Sequence, residues 1–449
     1  MLSKSGATID RDSWIKEAQD AEKSGSVMTC RAIIKSTLEL GVEESDRKST
    51  FIEDAENCVS SKFIETARAI YNHLVTIFSH KKGVWRRAVM FEKEHGDFQR
   101  VNDLLRRAVE FCPHAPILWL MAAKEMWVSG DVETARGILE EAFKANKDSQ
   151  EIWLAAIKLE VETGNYEKGR NLLTTARENV DSAKVWIKSA VLERQLGNLD
   201  QALLILDQAL TKFPTEAKLW MIKGQIQGSS KNYIGARDTF IKAIKNCPNS
   251  ITLYLLASRL EEEAGILTKA RPILERGRLL HSKNDMLWCE SIRLENRHGN
   301  SMAAMSLLSR GLQECPESGL LWSEAIILEP RATRRSKCAD AIKKCETSPL
   351  VFCTVARIFW NDGKIDKARN WFNKAVTLDF DLGDSWAWLV KFERSVGGDV
   401  AGLLTRCTAS EPRHGEVWQI VSKDVGNVGL STLQVLEKVI EKLPRRFNK

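Results

Sequence analysis

A chain of 449 residues is too long for one ordinary globular core, which leaves two or three domains or an elongated repeat array. Its hydrophobic fraction of 43% and charged fraction of 28% exclude extensive disorder. The 66 Lys and Arg exceed the 60 Asp and Glu by a net charge of only +6, without the concentrated basic footprint of an autonomous nucleic-acid binder.

From the N-terminus onward, aromatic residues fall on a ruler: Trp14, Phe51, Trp85, Trp119, Trp153, Trp186, Trp220, Tyr254, Trp288, Trp322, Phe352, Trp386 and Trp418. Most neighbours are 34 residues apart, and a fixed period of this length marks a helical repeat. Each aromatic opens a first helix. Eleven residues later comes a breaker (Gly96, Gly130, Gly164, Gly197, Gly265, Gly299, Gly363, Gly397), often followed by Asp or Asn. Glycine at this place predicts a helix end in the left-handed conformation. A second helix then carries a small residue at +16, as Ala67 and Ala135, usually with Arg next, as Arg68 and Arg136. A bulky apolar residue follows at +20 and a small one again at +23. Steps of four and three residues place these on one helix face, and Pro113, Pro214, Pro248 and Pro316 at +28 close the unit.

Residues 1–13 read as a lead-in at a truncation point, 14–417 as a solenoid of about twelve repeats, and 418–449 as capping helices. The fold class is all-α: two short helices per unit cannot bury their apolar faces alone, so stacked neighbours supply the partner. The ruler slips twice. "LGVEESDRKST" lengthens the first spacing to 37 and reads as a loop, and the unit at Trp322 is cut to 30 by "EPRATRRSKCADA", where Pro330 ends its first helix early. Such an irregularity is either a contact point or a tolerated deletion.

Chemistry-bearing motifs are sparse. Five of the ten Cys fall on repeat positions: Cys112, Cys247, Cys315 and Cys345 at the place before the closing Pro, and Cys30 at +16. They read as small apolar fillers. The His are scattered, and no P-loop, GxSxG or HExxH pattern occurs, so no catalytic residue, cofactor or metal site is expected. A Glu recurs at +7 (Glu92, Glu160, Glu193, Glu261, Glu295, Glu329, Glu393); recurrence argues for a structural pair with a basic or backbone group of the adjoining repeat. Two basic clusters remain, Arg86, Arg87, Arg106 and Arg107, and Arg331, Arg334, Arg335 and Lys337. Neither has the interleaved aromatics that base stacking uses. The second, in the irregular unit, is the candidate partner contact. No apolar stretch approaches the roughly 18 to 20 residues of a membrane span, so no membrane partner is expected.

Anchor Trp, Glu at +7 and Ala-Arg at +16 and +17 resemble the HAT (half-a-TPR) repeat. "LWSEAIILEPRATRRSKCADAIKKCE" (321–346), "DLGDSWAWLVKFE" (381–393) and "EPRHGEVWQIVSKD" (411–424) resemble the C-terminal repeat region of the pre-mRNA-processing factor 6 family. The resemblance implies a non-catalytic nuclear scaffold that bridges components of the spliceosomal tri-snRNP, with snRNP proteins as partners, RNA reached indirectly and no small-molecule substrate. The family's N-terminal region has no counterpart here. Other readings stay open: a HAT scaffold of mRNA 3′-end cleavage or pre-rRNA processing, a TPR-type peptide receptor, and a direct single-strand RNA binder.

Overall fold

The link after a helix has carbonyls that no helical donor reaches, and in this chain the repeat supplies donors to them from its aromatic anchors. The computed structural model describes residues 11–180 and 182–444, which contain twenty-six α-helices. Their packing forms two units, one ending at Val185 and one beginning at Trp186. The first unit contains five helix pairs, from Arg11–Lys23 with Val27–Thr37 to Gln150–Glu162 with Tyr166–Asn179. Ala183–Gln195, which crosses the boundary, pairs with Leu199–Lys212, and further pairs follow to Gly383–Val396 with Val400–Ser410. The chain then forms the short helix Glu416–Ser422, a 3-10 turn at Val425–Asn427 and the helix Thr432–Lys442. The fold is an α-solenoid of helix-turn-helix repeats. Of the expected lead-in, residues 1–10 lie outside the described residues and Arg11–Ser13 already belong to the first helix; 445–449 of the expected cap also lie outside them.

The small residues do what their positions require. Ala67, Ala135, Ala202, Ala236, Ala270, Ala304 and Ala368 at +16, and Ala108, Ala142, Ala176, Ala209, Ala243 and Ala375 at +23, are completely buried. At Gly277, which takes the +23 place, a Cβ would come within 3.2 Å of the Tyr254 ring and 3.1 Å of Leu287. Phe51, Trp85, Tyr254, Phe352 and Trp386 have no exposed surface, whereas Trp14, Trp153 and Trp322 are half-buried.

The anchors also donate. The indole N–H of Trp119 gives a hydrogen bond to the carbonyl of Pro113, six residues back, at 2.8 Å; Trp220 does so to Pro214 at 2.8 Å, Trp288 to Ser282 at 2.7 Å and Trp386 to Phe380 at 2.9 Å. Tyr254 preserves the bond with its hydroxyl, 3.1 Å from the Pro248 carbonyl. The same oxygens accept a second donor from the +27 residue of the unit. Ser79, which also accepts from the Trp85 indole at 2.5 Å, takes the Cys112 thiol at 3.3 Å, Pro113 the Asn146 amide at 2.8 Å, and Pro248 the His281 Nε2 at 3.2 Å. The reading of the +27 Cys as simple apolar fillers is therefore incomplete: the thiols of Cys112 and Cys345 are buried and also donate to inter-repeat carbonyls.

At +11, Gly130, Gly164, Gly197, Gly265, Gly299, Gly363 and Gly397 are left-handed, with φ between 73° and 91°. Gly96 is not: its helix runs one residue further, to His95, and Gly96 continues in extended backbone (φ −106°, ψ −165°). Where glycine is missing, Lys62 (φ 65°) and Lys231 (φ 59°) adopt the left-handed conformation themselves. The Asp or Asn that follows is the N-cap of the second helix, as Asp131 accepting from the Thr134 N–H at 3.1 Å. The stretch read as the loop "LGVEESDRKST" is partly helical, because Arg47 to Thr50 form the first turn of Arg47–Ser60. In the Trp322 unit, Gly319–Leu328 stops at Glu329, which Pro330 holds in extended backbone (ψ 138°).

Replacing Trp85 with Ala removes a fully buried ring and a capping donor. Its cost is expected at about 3–5 kcal/mol, confined mainly to the first unit. Lys231→Gly relieves a left-handed side-chain-bearing residue and is expected to stabilise the second unit by about 0.5–1 kcal/mol. Denaturant titration followed by hydrogen exchange resolved to each unit checks both.

Candidate interaction surface

The +7 Glu is a junction between repeats. In each case that follows, an Arg at +17 reaches the Glu at +7 of the next unit, 24 residues on. Arg68 Nε donates to Glu92 at 2.7 Å, and Arg136 is bidentate to Glu160 at 2.6 and 3.0 Å. Arg237 is bidentate to Glu261 (2.5 and 2.8 Å), Arg271 to Glu295 (2.7 and 2.9 Å) and Arg369 to Glu393 (2.7 and 3.0 Å). The turn adds a further donor: the amides of Asn165, Asn198 and Asn300 reach Glu160, Glu193 and Glu295. These carboxylates are buried, as the pairing allows. Glu329 departs from the pattern because Met305 occupies the preceding +17; it accepts instead from the Thr333 hydroxyl at 2.8 Å.

A second ladder, which the sequence reading missed, lines the inner wall of the second unit. Arg at +5 meets Glu at +2 of the next unit: Arg259 donates to Glu290 at 2.6 Å and Arg293 to Glu324 at 2.6 Å. The following unit breaks the ladder with Ile327 and Thr354 at these places, and one unit further on Arg357 lies 4.1 Å over the Trp388 ring. Arg297 bridges Glu262 and Glu290. Burial works against ionisation of Glu290, yet Arg259 and Arg297 together hold its carboxyl below the usual range. The signal was available at fixed offsets, but fewer units carry it than carry Glu at +7. This wall encloses a cavity of about 1080 Å³ whose lining includes Arg194, Cys289, Arg293, Glu324, Cys353 and Trp388.

The structure places the basic clusters elsewhere and gives them internal partners. Arg335 pairs with Asp362 at 2.6 Å and Arg331 with the same carboxylate at 3.8 Å, Arg334 Nε donates to the Glu329 carbonyl at 3.1 Å, and Lys337 sits 5.5 Å over the Trp322 ring. Arg331 and Arg335 remain largely exposed, at 84% and 60% of their side-chain surface. In the other cluster Arg87 pairs with Glu56, and Arg107 lies 5.7 Å over the Trp85 ring. Among the described residues no group of three or more His, Cys, Asp or Glu is placed to hold a metal ion.

Paired helices, recurring aromatic anchors and an inter-repeat Arg–Glu junction define a protein of the TPR and HAT helical-repeat class. Family models agree: residues 216–440 match "PRP6, TPR-like domain", 58–195 match "PRP39 C-terminal HAT repeat" and 183–226 match "Tetratricopeptide repeat". The chain belongs to the PRP6 family. It is 40% identical over 444 residues to pre-mRNA-splicing factor prp1 of Schizosaccharomyces pombe, covering 98% of this chain and 49% of that protein. To pre-mRNA-processing factor 6 of Homo sapiens it is 47% identical over 448 residues, covering 99% of this chain and 48% of that one. The chain thus spans about half the length of these relatives.

Two carboxylates give opposite pH dependences. Arg271 holds Glu295 below the usual carboxylate range, so this pair contributes stability above the unfolded value near 4.5 and loses it as pH falls through the lower folded one. Asp54 in the first unit is buried, with Arg11 3.4 Å from one oxygen and no hydrogen-bond partner for the other. Burial pushes its carboxyl up to about 6, so its contribution is present below 3.8 and lost as pH rises through about 6. Asp54→Asn is expected to stabilise the first unit at pH 7 and flatten its pH response between those two values. Glu295→Gln should weaken the second unit at neutral pH and much less in acid. Denaturant midpoints of each unit across this pH range provide the check.

Proposed function

We propose that the chain is a non-catalytic scaffold of pre-mRNA splicing in the nucleus, which joins components of the tri-snRNP through protein–protein contacts and associates with RNA through those proteins. The observation that carries this reading is the continuous match to splicing-factor relatives along 98–99% of the chain, on a fold made of repeats that offer extended surface. The inner wall supports it physically, because its arginines and glutamates are mostly committed to one another and leave contact area without a reactive centre. A solenoid sums many modest contacts over several partners, which suits holding a large particle together. The solenoid at 14–417 and its capping helices from 418 would then act as one scaffold, with Arg331 and Arg335 as exposed positive charge for an acidic partner.

Affinity purification of the chain from nuclear extract at moderate salt is expected to recover the small nuclear RNAs and proteins of the tri-snRNP. Recovery of 3′-end cleavage or ribosomal-precursor factors would keep the fold and replace the particle. Arg331→Glu with Arg335→Glu is expected to lower that recovery severalfold without unfolding the second unit. Unchanged recovery would remove these two residues from the partner face.

A further inference from the structure

Part of the chain itself crosses the inner wall of the second unit. Arg293, on the helix Asp285–Arg297, holds two carboxylates at once. Its Nε serves Glu324 of the adjoining repeat, while its Nη1 lies 2.8 Å from both oxygens of Glu416, 123 residues further along. Glu416 opens the helix Glu416–Ser422, which a second group from the wall seats: Asp384 accepts from the backbone N–H of Val417 at 3.1 Å and of Trp418 at 2.8 Å. The preceding loop is stitched down by the Gly383 N–H to the His414 carbonyl (2.8 Å) and by the N–H groups of Arg413 and His414 to the Asp381 carbonyl (3.1 and 3.0 Å). Trp418 packs so closely on Gly383 that a Cβ there would meet its indole at 2.2 Å.

An ordinary repeat does not need this contact. Arg259 shows the usual arrangement for a +5 Arg, with its carboxylate on the next unit only. The extra link coincides with the short Trp322 unit. Its second helix, Arg334–Lys344, has 11 residues where most have 14, and Gly319–Leu328 packs directly on Pro349–Asn361. A shortened unit tightens the local turn, and the helix of the thirteenth anchor comes to rest against the ninth. Cys289 and Cys353 line the same cavity, 2% and 7% exposed. Burial pushes both thiols up, Cys353 to about 12, so neither reacts without entry of solvent.

We propose that Gly415–Val425 is a strap closing the inner wall of the second unit, latched by Arg293 on Glu416 and seated by Asp384, and that its release uncovers a binding surface around Cys289, Glu290 and Arg293. The latch is the weaker attachment, since Glu416 keeps 47% of its side-chain surface in solvent, whereas Trp418 is buried. An acidic peptide whose carboxylate takes over the Arg293 guanidinium therefore frees the Glu416 end of the strap, where Arg293 and Cys289 lie, while Trp418 keeps its seat on Gly383 and the repeats stay folded. This inference does not depend on the splicing role.

The test is site-resolved thiol labelling of the full chain with N-ethylmaleimide, read by peptide mass, in Glu416→Gln and Asp384→Asn. Both variants are expected to label Cys289 and Cys353 about tenfold faster, as follows from weakening one charge-assisted attachment. Rates at Cys338, buried in the same unit outside the cavity, and at Cys30 and Cys58 in the first unit should not change. Unchanged labelling of Cys289 and Cys353 overturns the strap. Equal acceleration at Cys338 also overturns it, because that reports loss of the unit's fold. A response to Asp384→Asn alone overturns the Arg293 latch.

Discussion

The carbonyl six residues before most of the anchors is the constraint on which the repeat rests. It lies beyond the end of one unit's second helix, where no intrahelical donor reaches it, and a hydrogen bond made there contributes about 0.5–1.5 kcal/mol. The anchor indole fills the space between helices and supplies the missing donor in one side chain, so packing and hydrogen bonding fix the same register. Tyr254 shows which property is retained under substitution: it keeps both bulk and a donor. Phe51 and Phe352 keep the bulk alone, and both remain fully buried.

Charge is organised on two levels. The Arg–Glu junctions between +17 and +7 join neighbouring repeats and pair the buried carboxylates of Glu92, Glu160, Glu261, Glu295 and Glu393. The inner ladder between +5 and +2 lines the concave wall, where the same pairing chemistry faces a cavity. The first level explains why a carboxylate recurs without any catalytic role. The second leaves an electrostatically balanced surface, on which a partner's charge competes with internal pairs.

The Trp322 unit links the two levels. Loss of four residues and a proline after Glu329 shorten its helices, and Met305 removes the Arg that would have joined it to the previous repeat. Its basic residues contact Asp362, Glu329 and Trp322 while Arg331 and Arg335 keep most of their side-chain surface in solvent. The irregularity is therefore stabilised by its own contacts and alters how the following helices stack.

Period, helix pairing, turn positions and the structural nature of the +7 Glu were legible in the sequence, because each rests on local conformational preference repeated at a fixed spacing. The helix start at Arg47 and the extended Gly96 were not, since a boundary shifts by a turn at little energetic cost. Nor was the second hydrogen bond made by the +27 Cys, which needs the position of a carbonyl 33 residues away. The Arg293–Glu416 contact lies furthest from sequence reasoning: no local offset relates residues 123 apart. The repeat is written in neighbouring residues, whereas the curvature that closes the second unit sums small departures over several repeats, and only the folded chain carries out that sum.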